Sequence, residues 1–255
     1  MGALAVLACI PFAHAEPIAT DRPDFVESSD VVGRGRLQIE TGFSSERTNA
    51  DGVKQRTLTT PTLLRMGVND RLELRVETDG FVRSTLEDSG ATQRERGFSD
   101  VALGAKWHMQ DGDEATSKPG VAWLLHLDVD SGSQAFRGQG LRPSLRGVAE
   151  WDLPKGFSVG VMPGVLIDKN EDGKRFAAGL FAVTLGKDLV PAWRGFVEVS
   201  GQQLASTKNG GNVVTFDTGV THLVNDSLQL DFAVSRGLTS RSPDFQWGVG
   251  VSIRF

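Results

Sequence analysis

Apolar and polar residues alternate along this chain. In the final stretch every odd position is large and apolar: Phe245, Trp247, Val249, Val251, Ile253 and Phe255. The even positions between them, Gln246, Gly248, Gly250, Ser252 and Arg254, are polar or glycine. A period of two places the two sets on opposite faces of a β-strand. The same rhythm begins near Arg36, where Leu37, Ile39, Thr41 and Phe43 oppose Arg36, Gln38 and Glu40. Leu72, Leu74 and Val76 oppose Glu73, Arg75, Glu77 and Asp79. Val101, Leu103, Ala105 and Trp107 oppose Asp100 and Lys106, and Val121 to Val129 alternates with His126 and Asp128 on its polar side. Further runs cover 141–151, 157–167, 175–186, 193–204, 213–223 and 228–236; the run 175–186 is apolar on both faces.

Turn-forming clusters separate these runs, among them Asn49-Ala50-Asp51-Gly52, Asn69-Asp70 and Asn225-Asp226. A charged, Ser/Gly-rich loop is expected from Ser84 to Gly97. Pro61 interrupts the run 56–68 and predicts a bulge or a rim position. About twelve strands result, and no helical period is sustained after Ala15. An even number of alternating segments of roughly ten residues is the signature of a transmembrane β-barrel. Strands of ~9–11 residues cross the apolar layer, and closure pairs every backbone group in lipid. The expected fold is therefore all-β, a closed antiparallel barrel. The gaps between runs are mostly short after even strands and longer and charged after odd ones, which places both termini at the periplasmic end. Gln110 to Gly120 departs from that alternation. The rival architecture is a soluble sandwich with its apolar faces turned inward.

The N-terminus reads differently. Ala3 to Ile10 is an apolar core, and Ala13-His14-Ala15 offers a small-x-small cleavage site, so residues 1–15 are expected to be a secretory signal peptide. The basic residues that usually precede such a core are missing. Val6-Leu7-Ala8-Cys9 offers a lipoprotein cleavage box, which the short core and the Ala-x-Ala site disfavour. Residues 16–35 hold Pro17, Pro23 and the charged stretch Thr20-Asp21-Arg22-Pro23-Asp24-Phe25. This segment is expected to form a plug or periplasmic arm before the barrel, 36–255. Asp21, Arg22 and Asp24 are its candidate contacts, with Arg22 reaching Glu73 or Glu77. A flexible leader is the alternative.

The net charge of −5, of mixed sign, gives no nucleic-acid footprint. The single cysteine, Cys9, leaves with the signal peptide, which excludes disulfides from the mature chain. Four scattered histidines make a zinc cluster an unexpected feature, and no metal or cofactor is expected. No nucleophile elbow or other catalytic motif occurs, so no catalytic residues are assigned. An outer-membrane lipid hydrolase would need a Ser–His pair on the lipid face, whereas His126 has lumen parity. The polar face names the lumen candidates: Glu73, Arg75, Glu77, Asp79, His126, Arg142, Arg146, Glu150, Glu198, Asp231 and Arg254. Their mixed signs argue against a single-sign selectivity ring. Leu124, Met162, Leu166 and Phe181 are expected to add apolar lining, which suits a small aromatic or amphipathic solute.

Two resemblances sharpen this picture. A last strand ending on an apolar-faced aromatic, here Trp247 to Phe255, resembles the terminal strand of bacterial outer-membrane barrels, which the barrel-assembly machinery reads. Thr20-Asp21-Arg22-Pro23-Asp24-Phe25, Gly35 to Gly42, Gly67 to Arg75 and Gly97 to Trp107 resemble segments of a family of proteobacterial outer-membrane proteins. That family is named for the meta-cleavage pathway of phenol degradation. The resemblance implies an outer-membrane barrel and a transporter, sometimes linked to aromatic compounds, with no established catalytic residues. The expected partners are outer-membrane lipid, the assembly machinery and a small solute. A structural or surface-interaction barrel without transport is the second functional reading.

Overall fold

The computed structural model describes residues 17–50, 52–170 and 172–255; the signal-peptide reading of 1–15 falls outside them. Fifteen strands form one antiparallel sheet. They are β1 (Leu37–Ala50), β2 (Val53–Thr59), β3 (Thr62–Asn69), β4 (Leu72–Thr78), β5 (Phe81–Asp88), β6 (Ala91–Phe98), β7 (Val101–Gln110) and β8 (Gly120–Val129). They continue as β9 (Arg142–Leu153), β10 (Phe157–Lys169), β11 (Arg175–Val190), β12 (Trp193–Leu204), β13 (Val213–Asn225), β14 (Leu228–Gly237) and β15 (Phe245–Arg254). β2 and β3, β4 and β5, and β6 and β7 are the two halves of three long strands, so the wall has twelve crossings. The breaks fall at Thr60-Pro61, Asp79-Gly80 and Ser99-Asp100, side by side across the sheet. Pro61 supplies no amide hydrogen and accounts for the first break.

Closure comes from β1 pairing with β15, from Gln38↔Arg254 to Arg47↔Phe245. The wall is apolar outside and polar inside. Leu125 is 55% exposed and Trp107 53%, whereas their neighbours Leu124 and Lys106 are 0% exposed. A sandwich buries its apolar face; here Arg65, Lys106, Glu73 and Glu198 are the buried side chains. Even so, the interior has one apolar patch, in which Val26 packs with Ala122, Leu124, Val148, Met162 and Ala182, with Phe25 beside them.

Two expectations change. Residues 84–97 are the β5–β6 hairpin, not a loop. Ser89 and Gly90 both have positive φ (47° and 85°), as a two-residue hairpin turn requires. Its charged residues stand on both faces because β6 is exposed along nearly its whole length. Phe181 points outward, 47% exposed, while Leu180 and Ala182 face the lumen. β11 is apolar on both faces, so its facing is set by register with β10, where Met162 pairs with Ala182 and Pro163 with Phe181.

At the end of the barrel carrying Leu37 and Phe255, the connections are short, apart from the one between β7 and β8. That connection, from Gln110 to Gly120, holds a 3₁₀ turn (Glu114–Thr116) and a bridge between Asp113 and Lys118. The longest connection at the opposite end runs from β8 to β9 and folds back on Asp100. Asp100 Oδ1 accepts from the Ser131 and Gly132 amides, and Oδ2 from the Gly138 amide and Arg142 Nη2 at 2.7 Å.

Candidate functional site

Residues 17–35 lie inside the barrel. The segment enters beside Arg254, whose Nη1 donates to the Pro17 carbonyl at 3.4 Å. It turns at Arg22 to Phe25, then returns to the same end, where Gly35 N donates to the carbonyl of Gly67 on β3 and Gly67 N donates to the Arg36 carbonyl. Ser28 N donates to Asp21 Oδ1 across the loop at 2.8 Å. A chain without helix or sheet must find partners for its backbone when it is buried. Charged side chains of the wall supply them. Glu198 accepts from the Phe25 and Val26 amides, both at 2.8 Å. Glu40 accepts from Asp21 N, Glu150 from Ser29 N and Glu73 from Val32 N. In the other direction, Arg65 donates to the Ala19 and Asp30 carbonyls and Lys106 to the Ser28 carbonyl.

The segment's own charges are paired by side. Asp21 meets Lys106 and Arg75 at 2.7 Å each and Arg65 at 3.4 Å. Glu27 bridges Arg75 at 2.7 Å and Arg146 at 2.6 Å. Burial raises both carboxyls, but the surrounding cations outweigh it: Asp21 is held well below the usual carboxylate range and Glu27 is brought down to about 2. Asp24 sits among acids, and burial followed by Glu198 pushes it well above its ordinary value. Arg22 reaches across to Asp231 at 3.0 Å, not to Glu73 or Glu77. Glu73 lies among cations and is already taken by Arg65 at 2.8 Å, and Glu77 faces the cavity beyond the segment. Space for Arg22 comes from the paired glycines Gly42 and Gly250, where a Cβ would run into the guanidinium.

The other candidates fall as follows. Glu73, Arg75, Glu150, Glu198 and Asp231 touch the segment or its charges, and Arg142 ties the β8–β9 connection to Asp100. Glu77 and Asp79 face open lumen, and His126 lies buried in the wall beside them. Arg254 stands at the rim, bonded to the Pro17 and Asp226 carbonyls. Trp247 and Phe255 lie on the closing strand and at its end, Trp247 against Phe43 with ring centroids 5.9 Å apart. Sequence reasoning did not single out Glu27, Glu40, Arg65 and Lys106 as site residues. The last three share the polar parity of their strands, which was the available signal.

Fold and site together define a β-barrel of outer-membrane type, with a polar lumen entered by its own N-terminal segment. Residues 20–255 match the family described as "Putative MetA-pathway of phenol degradation", and the chain belongs to that family. The barrel is similar to the COG4313 outer membrane channel from Pseudomonas putida F1, with a TM-score of 0.64 at 12% identity over 89% of this chain and 98% of that one. It is also similar to the β domain of the Bordetella autotransporter BrkA (0.59, 15% identity, 87% and 100% covered) and to the KdgM porin in complex with oligogalacturonate (0.52, 8%, 86% and 99%). A comparison with curated protein sequences gives no match.

Proposed function

We propose that the protein is an outer-membrane channel or transporter for small solutes, exported by a cleaved leader, without catalytic activity, and narrowed by residues 17–35. The observation carrying this reading is the seat of that segment: wall carboxylates bond its amides, and wall cations bond its carbonyls and acids. A free leader has no use for such a seat. The open spaces around it, each of about 220–330 Å³, adjoin one another along the segment and are lined by mixed polar and apolar side chains. Membership of a family described by phenol degradation supports an aromatic or amphipathic solute. His126 faces the lumen, away from the lipid side where a lipid hydrolase would need it.

Deleting Thr20 to Ser29 should raise single-channel conductance without blocking assembly. Unchanged conductance in a correctly inserted deletion variant would rule out the constriction.

A surface-interaction role is the second reading, and the β5–β6 hairpin favours it. β6 pairs with β5 only, so its other edge carries no strand among the described residues. Liposome swelling separates the two readings, since a purely adhesive barrel would admit no solute.

A further inference from the structure

The charges of the lumen are unevenly engaged. Around the segment, cations and acids neutralise one another. Beyond it lies a cavity of about 330 Å³ whose lining includes Glu77, Asp79, Asp128, His126 and Phe136. That volume is within the range of small-molecule sites. Its two arginines are already committed, Arg142 to Asp100 at 2.7 Å and Arg146 to Glu27 at 2.6 Å. Asp128 keeps only a distant contact with Arg142, at 3.8 Å. Glu77 and Asp79 have no lysine or arginine within ion-pair distance among the described residues.

His126 supplies the independent observation. It is 2% exposed, it lines this cavity, and neither ring nitrogen has a hydrogen-bond partner. Such a group in a buried place is costly and calls for an explanation. Its ring lies over Gly104, where a Cβ would collide with it, so the cross-strand glycine makes room for the imidazole. Nε2 stands 3.7 Å from Glu77 Oε2. That span is too long for a direct hydrogen bond; the ring nitrogens are covered, and a small turn of the imidazole toward Glu77 would let an N–H-bearing cation held there contact both groups.

We propose that this cavity binds a small organic cation, resting on the channel reading above. The ammonium group sits against Glu77, Asp79 and His126, and the apolar body of the solute lies against the ring of Phe136. The unpartnered Nε groups of Arg142 and Arg146 would instead favour an anion, so an anion is the counter-probe.

Calorimetric titration of the full-length protein in detergent, with benzylammonium and with benzoate, tests the site. Benzylammonium should bind, benzoate should bind more weakly, and benzylammonium affinity should fall about tenfold in Glu77→Gln and in His126→Leu. Asp79→Asn provides the same readout should either of those variants fail to fold, and heat-modifiable gel mobility checks each variant. Benzoate binding as tightly as benzylammonium, or unaltered benzylammonium affinity in the folded variants, overturns the proposal. The lining comes from the wall and the β8–β9 connection, and the titration keeps Glu27, which occupies Arg146. A deletion of Thr20 to Ser29 that leaves conductance unchanged counts against the constriction, whereas the titration of the intact chain tests this site.

Discussion

Asp21 shows how single residues seat the segment. One carboxylate is shared by Lys106, Arg75 and Arg65, all of them buried. Removing one partner from a buried ionic group costs about 3–5 kcal/mol, because the remaining charges lose their compensation. Asp21→Asn should thus unseat residues 20–29 while leaving the barrel intact. Amide hydrogen exchange in that segment should accelerate by a hundredfold or more, and unchanged exchange would contradict the seat. The pH response follows from the directions of the shifts. Glu27 is depressed to about 2, so its contribution is present above the unfolded carboxylate value and is lost only as pH falls through about 2. Asp21, also depressed, behaves alike. Asp24 is raised, so its ionisation opposes seating as pH climbs. Protonation of Asp21 and Glu27 should therefore release the segment only in strong acid, well below pH 4. A rise in conductance near pH 5 that persists in Glu198→Gln, where the carboxylate bonding the Phe25 and Val26 amides no longer titrates, would show that these pairs do not hold the segment.

At the scale of the element, β15 carries the clearest consequence. Val249 lies between Phe43 and Phe232 on the outer face and is 42% exposed. Val249→Arg should destabilise the barrel by ~2–4 kcal/mol if that position is near the bilayer midplane. On the proposal that the assembly machinery recognises the aromatic at the end of β15, Phe255→Ala should reduce insertion. Urea-unfolding titrations in lipid check the first and the yield of heat-modifiable protein in outer-membrane fractions checks the second. Equal behaviour of both variants and the parent would contradict the orientation of this strand. β11 sets the limit of such reasoning. Its sequence offers apolar residues to both faces, so the pattern leaves the facing of Phe181 open; the register with β10 turns it outward.

Across the whole molecule, the closed wall predicts heat-modifiable migration on gels and extraction only with detergent; a chain soluble without detergent would contradict the barrel. The alternation of Leu74, Val76, Leu103 and Trp107 with Glu73, Arg75 and Lys106 was enough to assign this architecture from sequence. Side-chain direction in a strand is a local property with period two, and lipid outside a closed sheet demands an apolar face. The β5–β6 hairpin escaped because its exposed residues have no buried face to impose alternation. The twelve crossings and the charged interior were thus written in the chain itself. Which charge meets which was not. Arg22 finds Asp231 and Asp21 finds Lys106 because barrel closure brings residues far apart in sequence to one level of the lumen. Ion pairing depends on distances across that closed space, and strand periodicity carries no information about them.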